Sequence, residues 1–306
     1  MRVLITGGSG LIGRAVAPRL VAAGHSVVLL TRRPDRLGGL GEGITAEAWD
    51  GRTTLGWGPL VDGDSAILNL AGENLAAGRW TEGRKRRILE SRVDSTRAVA
   101  EAVQKARVKP KVLLQASAVG FYGPLGDAEV DESASAGDDF LARVCVAWEK
   151  ASDPVAEADV RRVLLRTGVV LSADGGALPK MARPFRWFVG GPLGSGRQGV
   201  PWIHLEDAAR AIVFLMEREQ ASGPFNLTAP NPVDNRQLSR ALGAVLARPS
   251  FLPAPAFALR LLLGEMADLL LTGQKAVPAA LEDAGFRFGF PELEGALADL
   301  FSMRSA

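Results

Sequence analysis

One cysteine, one tyrosine and two histidines are all that 306 residues supply of those types. Cys145 alone forbids an internal disulfide, and with only His25 and His204 beside it no Cys/His zinc site can be assembled. Surplus charge is also missing. The chain carries 36 Lys+Arg against 34 Asp+Glu, a net +2, so a pI near 8.9 is no nucleic-acid signature. No apolar run reaches the roughly 20 residues of a membrane span. The most apolar late stretch, 256–272, is broken by Arg260, Glu265 and Asp268 and reads as a buried or amphipathic helix. The opening run of a few apolar residues stops at Gly7, too soon for a signal-peptide core. These absences lead us to expect a soluble cytoplasmic protein with no metal and neither a nucleic-acid nor a membrane partner.

What the chain has is alternation. Short β-branched or Leu-rich runs at 3–6, 27–31, 66–69, 112–116 and 163–166 suit strands buried on both faces. Between them, 11–23, 82–104 and 140–158 carry helical spacing. Such order implies right-handed βαβ crossovers and an α/β fold, a doubly wound parallel sheet of Rossmann type. A helix at 205–219 and the run Phe225-Asn226-Leu227 follow. Beyond that the pattern is mostly helical, at 235–247, 256–271, 278–284 and 292–300. We therefore expect a dinucleotide-binding domain over 1–230 and a smaller, mainly helical substrate domain over 231–306. The glycine-rich stretch within 172–200 should join the substrate side.

Thr6-Gly7-Gly8-Ser9-Gly10-Leu11-Ile12-Gly13 links the first strand to the first helix. Glycines at this spacing permit a tight turn and a close approach of backbone to a pyrophosphate, which the helix N-terminus then attracts. The second strand ends Thr31-Arg32-Arg33-Pro34, with no acid to bind ribose hydroxyls before Asp35. Two guanidiniums there suit a 2′-phosphate, so NADP(H) is the expected cofactor. Asp50, after the strand-like 44–49, is either an adenine contact or a surface carboxylate.

Thr6–Gly13 (residues 6–13), Asn69-Leu70-Ala71-Gly72, Ser117-Ala118-Val119-Gly120-Phe121-Tyr122-Gly123 and Trp202-Ile203-His204-Leu205-Glu206-Asp207 resemble successive landmarks of the extended short-chain dehydrogenase/reductases. Arg79-Trp80-Thr81, Ser91-Arg92, the loop 190–199 and Leu261-Leu262-Leu263-Gly264-Glu265-Met266 resemble more narrowly the atypical "epimerase family protein" branch, related to nucleotide-sugar epimerases and ending in a C-terminal domain of unknown function. The resemblance implies NADP binding more firmly than any reaction. It places Gly7, Ser9, Gly10, Leu11, Ile12, Gly13, Thr31, Arg32, Arg33, Leu70, Ala71 and Gly72 around the cofactor. Arg92 stands where the extended enzymes usually carry an asparagine, and there it is either a phosphate contact or a surface helix arginine. Ser117 occupies the position of the catalytic serine.

The catalytic tyrosine–lysine pair of that family is missing. Four residues after Tyr122 stands Gly126, and if Glu149 marks the acidic residue that often follows the pair, its two positions hold Leu141 and Cys145. Tyr122 is then the first candidate for a proton donor, ahead of His204, which reads better as a satisfied structural histidine, and Cys145, which reads as a small core residue. Two readings follow. One is an NADP(H)-dependent oxidoreductase or epimerase with a non-standard proton donor, acting on a small polar or nucleotide-linked substrate. The other is a non-catalytic NADP(H)-binding sensor or regulatory protein.

Overall fold

Seven parallel strands make one continuous sheet: most are apolar on both faces and joined by crossovers that carry an α-helix, whereas the second and third are followed only by single 3-10 turns and the third, at the edge, is largely exposed. In the computed structural model, which describes residues 1–302, they are β1 (Arg2–Thr6), β2 (Ser26–Thr31), β3 (Ile44–Ala48), β4 (Ser65–Asn69), β5 (Val112–Ala118), β6 (Arg161–Thr167) and β7 (Gly223–Leu227). Their spatial order is β7-β6-β5-β4-β1-β2-β3. The order reverses between β1 and β4, the place where open α/β sheets bind ligands beyond their carboxyl ends. The expected Rossmann-type architecture is thus present.

Helices cover both faces. α1 (Leu11–Ala22) and α4 (Leu205–Glu217) pack side by side, burying Val16, Ala17, Leu20, Ile212 and Leu215 against Val3, Ile5 and Leu114. On the opposite face α2 (Glu82–Lys105) sets Ala98, Val99 and Val103 against Leu4, Ile67 and Leu113. The single helix expected over 140–158 is two: α3 (Phe140–Lys150) ends before Ser152, and Pro154 sits in the first turn of a short helix at Asp153–Glu157. Proline suits a first helical turn and cannot continue an existing one.

A second core lies beside the sheet's carboxyl end. It joins Leu293, Leu297 and Leu300 of α6 (Leu293–Ser302) and Leu238 and Leu242 of α5 (Asn235–Leu246) to Leu171, Leu178, Phe185 and Trp202 from the chain before residue 230. Residues 169–204 therefore build this lobe together with the C-terminal segment. The helix expected over 256–271 breaks at Gly264, whose φ of +62° only glycine adopts readily. Its first part, Ala256–Leu263, has no fully buried residue, so of the two expectations the buried helix fails there; Ala256, Ala258, Leu259 and Leu263 are half-buried and the other four exposed.

Candidate cofactor and active site

The glycines of the first loop are needed for reasons that differ residue by residue. Gly7 has φ +65°, and a Cβ there would stand 2.7 Å from the Leu70 carbonyl oxygen. A Cβ at Gly13 would lie 2.5 Å from the Gly8 Cα, so α1 can approach the loop only without one. At Gly10 the only neighbour of such a Cβ is the Gly7 carbonyl oxygen at 3.1 Å. Gly10 is also the N-cap of α1, which has no side-chain cap and no acid in its first turn. The open side of the loop thus presents an uncapped helix N-terminus with its positive dipole end.

A row of polar side chains fixes that loop to the next strand. Thr6, Asn69 and Gln115 pair at one register level across β1, β4 and β5. The Thr6 hydroxyl donates to Asn69 Oδ1 at 2.5 Å and accepts the Leu70 and Ala71 N–H groups, both at 3.1 Å. Asn69 Nδ2 donates to Gln115 Oε1 at 2.8 Å and to the Thr96 hydroxyl at 3.0 Å. All four side chains are fully buried and satisfied, which rigidifies the carboxyl end of the sheet. Leu70, Ala71 and Gly72 are held beside Gly7 by this network.

At the end of β2, Arg32 and Arg33 are exposed, and neither guanidinium has an ion pair or hydrogen bond among the described residues. Asp50 is occupied elsewhere, accepting the backbone N–H groups of Arg52 and Thr53 at 2.8 Å each in a turn that holds its carboxyl below the usual carboxylate range. Arg92 is no surface residue. It is buried beneath Gly72, donates to the Ile88 and Glu73 carbonyls at 3.0 and 3.1 Å, and lies 5.0 Å from the Trp148 ring centroid. It has no carboxylate within ion-pairing distance among the described residues, and burial lowers its pKa.

A second polar row stands at the carboxyl ends of β5, β6 and β7, where Ser117, Arg166 and Asn226 pair at one level. Glu149, from α3, reaches into it. Arg166 grips both Glu149 oxygens, at 3.0 and 3.1 Å, and the Ser117 hydroxyl donates to the same carboxylate at 2.6 Å. Tyr122 donates to Asn226 Oδ1 at 2.7 Å and accepts from Arg166 at 3.1 Å. Ser117 is 3% exposed and Tyr122 1%, and burial pushes the Tyr122 pKa up. Both hydroxyl protons are committed to interior acceptors.

Leu141 and Cys145 face the turn after β5. A Cβ at Gly120 would touch Leu141 Cβ at 3.4 Å and Cys145 Sγ at 3.8 Å, so α3 presents those two residues to the turn after β5. The Cys145 thiol is buried and pushed up to about 12 by desolvation, with the Glu149 charge adding to it. His204 caps α4, accepting the Glu206 N–H at 3.1 Å, and stacks on Phe290 at 3.9 Å. It is a structural histidine. Glu149 and Arg166 are the residues whose importance sequence reasoning missed. Arg166, the one charge closing the apolar run 163–166, was the available signal.

This geometry defines a dinucleotide-binding α/β protein, and comparison with known proteins narrows the class. The model of the NAD dependent epimerase/dehydratase family matches residues 3–228, and that of a domain of unknown function, DUF1731, matches 254–300. The chain belongs to the NAD dependent epimerase/dehydratase family. It is 40% identical to the epimerase family protein YfhF of Bacillus subtilis, over 99% of both chains. It is also similar to the crystal structure of human epimerase family protein SDR39U1 (isoform 2) with NADPH, at 37% identity, TM-score 0.88 and 99% of both chains. A nucleoside-diphosphate sugar epimerase from Corynebacterium glutamicum is 34% identical with TM-score 0.79, over 99% of this chain and 58% of that one.

Proposed function

We propose that this chain binds NADP(H) across the β1/β4 switch point and acts as an epimerase-like oxidoreductase that handles protons without a tyrosine–lysine pair. The observation that carries the cofactor reading is the open glycine cradle at an uncapped helix N-terminus, with two uncommitted guanidiniums at the end of β2. Gly7, Ser9, Gly10, Leu11, Ile12 and Gly13 would receive the pyrophosphate on backbone N–H groups. Thr31, Arg32 and Arg33 would take the 2′-phosphate, where an acid would repel it. Leu70, Ala71 and Gly72 would line the nicotinamide half. The NADPH in the human relative's structure supports the same choice.

Bound nicotinamide supplies hydride transfer; everything else must come from the chain. Arg92, under Gly72 and without a carboxylate partner, would place positive charge beside the reacting end of the site. Ser117 and Tyr122 would position rather than react: their protons belong to Glu149 and Asn226, and they hold the floor of the site in shape. The substrate would be a small polar or nucleotide-linked molecule, in line with the sugar epimerases of the family.

The second reading, a non-catalytic NADP(H)-binding sensor, is favoured by one observation. Gly126 stands four residues after the one tyrosine, and Leu141 and Cys145, where the pair falls if Glu149 marks the residue that follows it, cannot supply a proton at neutral pH. Incubating the protein and NADPH with aldehydes, ketones and nucleotide sugars while following absorbance at the reduced nicotinamide band separates the two. Turnover of any member supports the oxidoreductase; saturable NADPH binding with no turnover across the panel supports the sensor.

A further inference from the structure

The C-terminal lobe exposes a surface that a soluble enzyme has no reason to keep. Trp187 is 70% exposed, and Phe188 and Val189 continue the same tip. Leu252 donates its N–H to the Gly190 carbonyl oxygen, so the exposed pair Phe251-Leu252 lies alongside that tip. Two residues beyond Ala254, which pairs back to Pro192, begins the helix Ala256–Leu263, whose Phe257 and Leu261 are 75% and 76% exposed. Exposed apolar side chains gathered on segments tied together in this way mark an interaction site.

The tip is also held in an unfavourable shape. Phe188 has φ +61°, a left-handed conformation that costs a bulky residue roughly 1–2 kcal/mol. No buried contact of its ring explains the strain; the ring sits in the open with the Arg248 guanidinium 4.7 Å from its centroid. Strain maintained at an exposed aromatic tip is a reason to look for function there.

Charge then says what kind of partner fits. Residues 175–205 and 235–264 contain no aspartate or glutamate but eight lysines and arginines, whereas the rest of the chain carries more acids than bases. Lys180, Arg183 and Arg186 are exposed on the helix Leu178–Arg186 that leads directly into Trp187. Farther along this surface Arg260 pairs with Asp268 at 3.7 Å, but the aromatic tip itself is flanked in sequence by Lys180, Arg183 and Arg186 alone, the composition of surfaces that enter the headgroup layer of anionic membranes. A second copy fits poorly, because a two-fold contact through this patch would face cations with cations.

We propose that this face docks on an anionic lipid bilayer, with Trp187 and Phe188 entering the interface and Lys180, Arg183 and Arg186 meeting the headgroups. No spanning segment is involved: no helix among the described residues is long and apolar enough to cross a membrane.

The chain carries its own probe. Of six tryptophans, Trp49, Trp57, Trp80, Trp148 and Trp202 are buried, and only Trp187 is exposed. Full-length protein mixed with phosphatidylglycerol-containing vesicles should show a blue shift of tryptophan emission and co-sediment. Pure phosphatidylcholine vesicles and free inorganic phosphate should do neither. Trp187→Phe should still co-sediment and lose the shift. Arg183→Ala and Arg186→Ala, with unchanged thermal unfolding, should each lower vesicle affinity about fivefold, and added salt should weaken binding further. Equal binding to neutral and anionic vesicles, or none to either, overturns the proposal. So does a shift that appears without lipid as protein concentration rises, which would make the face a self-association surface, or an equal shift with a single-stranded oligonucleotide.

Discussion

Arg166 holds Glu149 through two parallel hydrogen bonds, 3.0 and 3.1 Å long, between side chains only 6% and 9% exposed. Removing one member of such a pair leaves an uncompensated buried charge, at a cost of about 3–5 kcal/mol. Glu149→Gln and Arg166→Met should each lower Tm sharply in thermal unfolding. The double variant should lose less than the sum of the singles, because it removes both charges. Additive losses would mean that the two residues act independently.

Tyr122→Phe should behave as a stability variant. It deletes the donor to Asn226 Oδ1 inside the protein and so should cost about 1–3 kcal/mol in urea unfolding. NADPH affinity should not change. A variant of wild-type stability would show that the phenol is not the interior strut described above.

Cys145 gives a pH dependence with a definite sign. Its thiol is pushed up to about 12 in the fold, so the native protein keeps a proton that the unfolded chain releases at its ordinary, lower pKa. The stabilisation from this proton is fully present below the unfolded pKa and is lost as pH rises toward the folded one. Tm measured from pH 7 to 10 should therefore fall more steeply for the wild type than for Cys145→Ala. A disulfide-exchange reagent should leave the native thiol unmodified and react once urea unfolds the chain. Rapid native labelling would place Cys145 in an open, activated setting instead.

The glycine loop separates fold from binding. Gly13→Ala puts a Cβ 2.5 Å from the Gly8 backbone and should destabilise the protein. At Gly10 a Cβ would meet only the Gly7 carbonyl oxygen, at 3.1 Å, so Gly10→Val should cost far less Tm than Gly13→Ala while abolishing NADPH binding, as its side chain would fill the phosphate cradle. Retained affinity in Gly10→Val would show that the loop is only a turn.

The sheet was legible because its strands are apolar runs with glycine or polar stops, and the cofactor loop because its glycines fall at a spacing that only close backbone approach requires. The rows Thr6–Asn69–Gln115 and Ser117–Arg166–Asn226 were not legible, since they exist only when parallel strands distant in sequence reach one register level. Ser117 and Tyr122 looked reactive in isolation for that reason. Arg92 could not be placed from spacing alone, and its burial under Gly72 came from tertiary packing. Helical periodicity at 256–271 gave no hint that the helix would stand unburied, because periodicity reports conformation and not contacts.

Titration of the purified protein with NADPH and with NADH tests the central claim most directly. Arg32 and Arg33 at the end of β2, with no acid before Asp35, predict tighter binding of NADPH. Arg32→Ala should remove at least one charge-assisted hydrogen bond of roughly 1.5–3 kcal/mol, weakening NADPH by about one to two decades and leaving NADH nearly unaffected. Equal affinities for the two cofactors, or an Arg32→Ala variant that binds NADPH as the wild type does, would contradict the account.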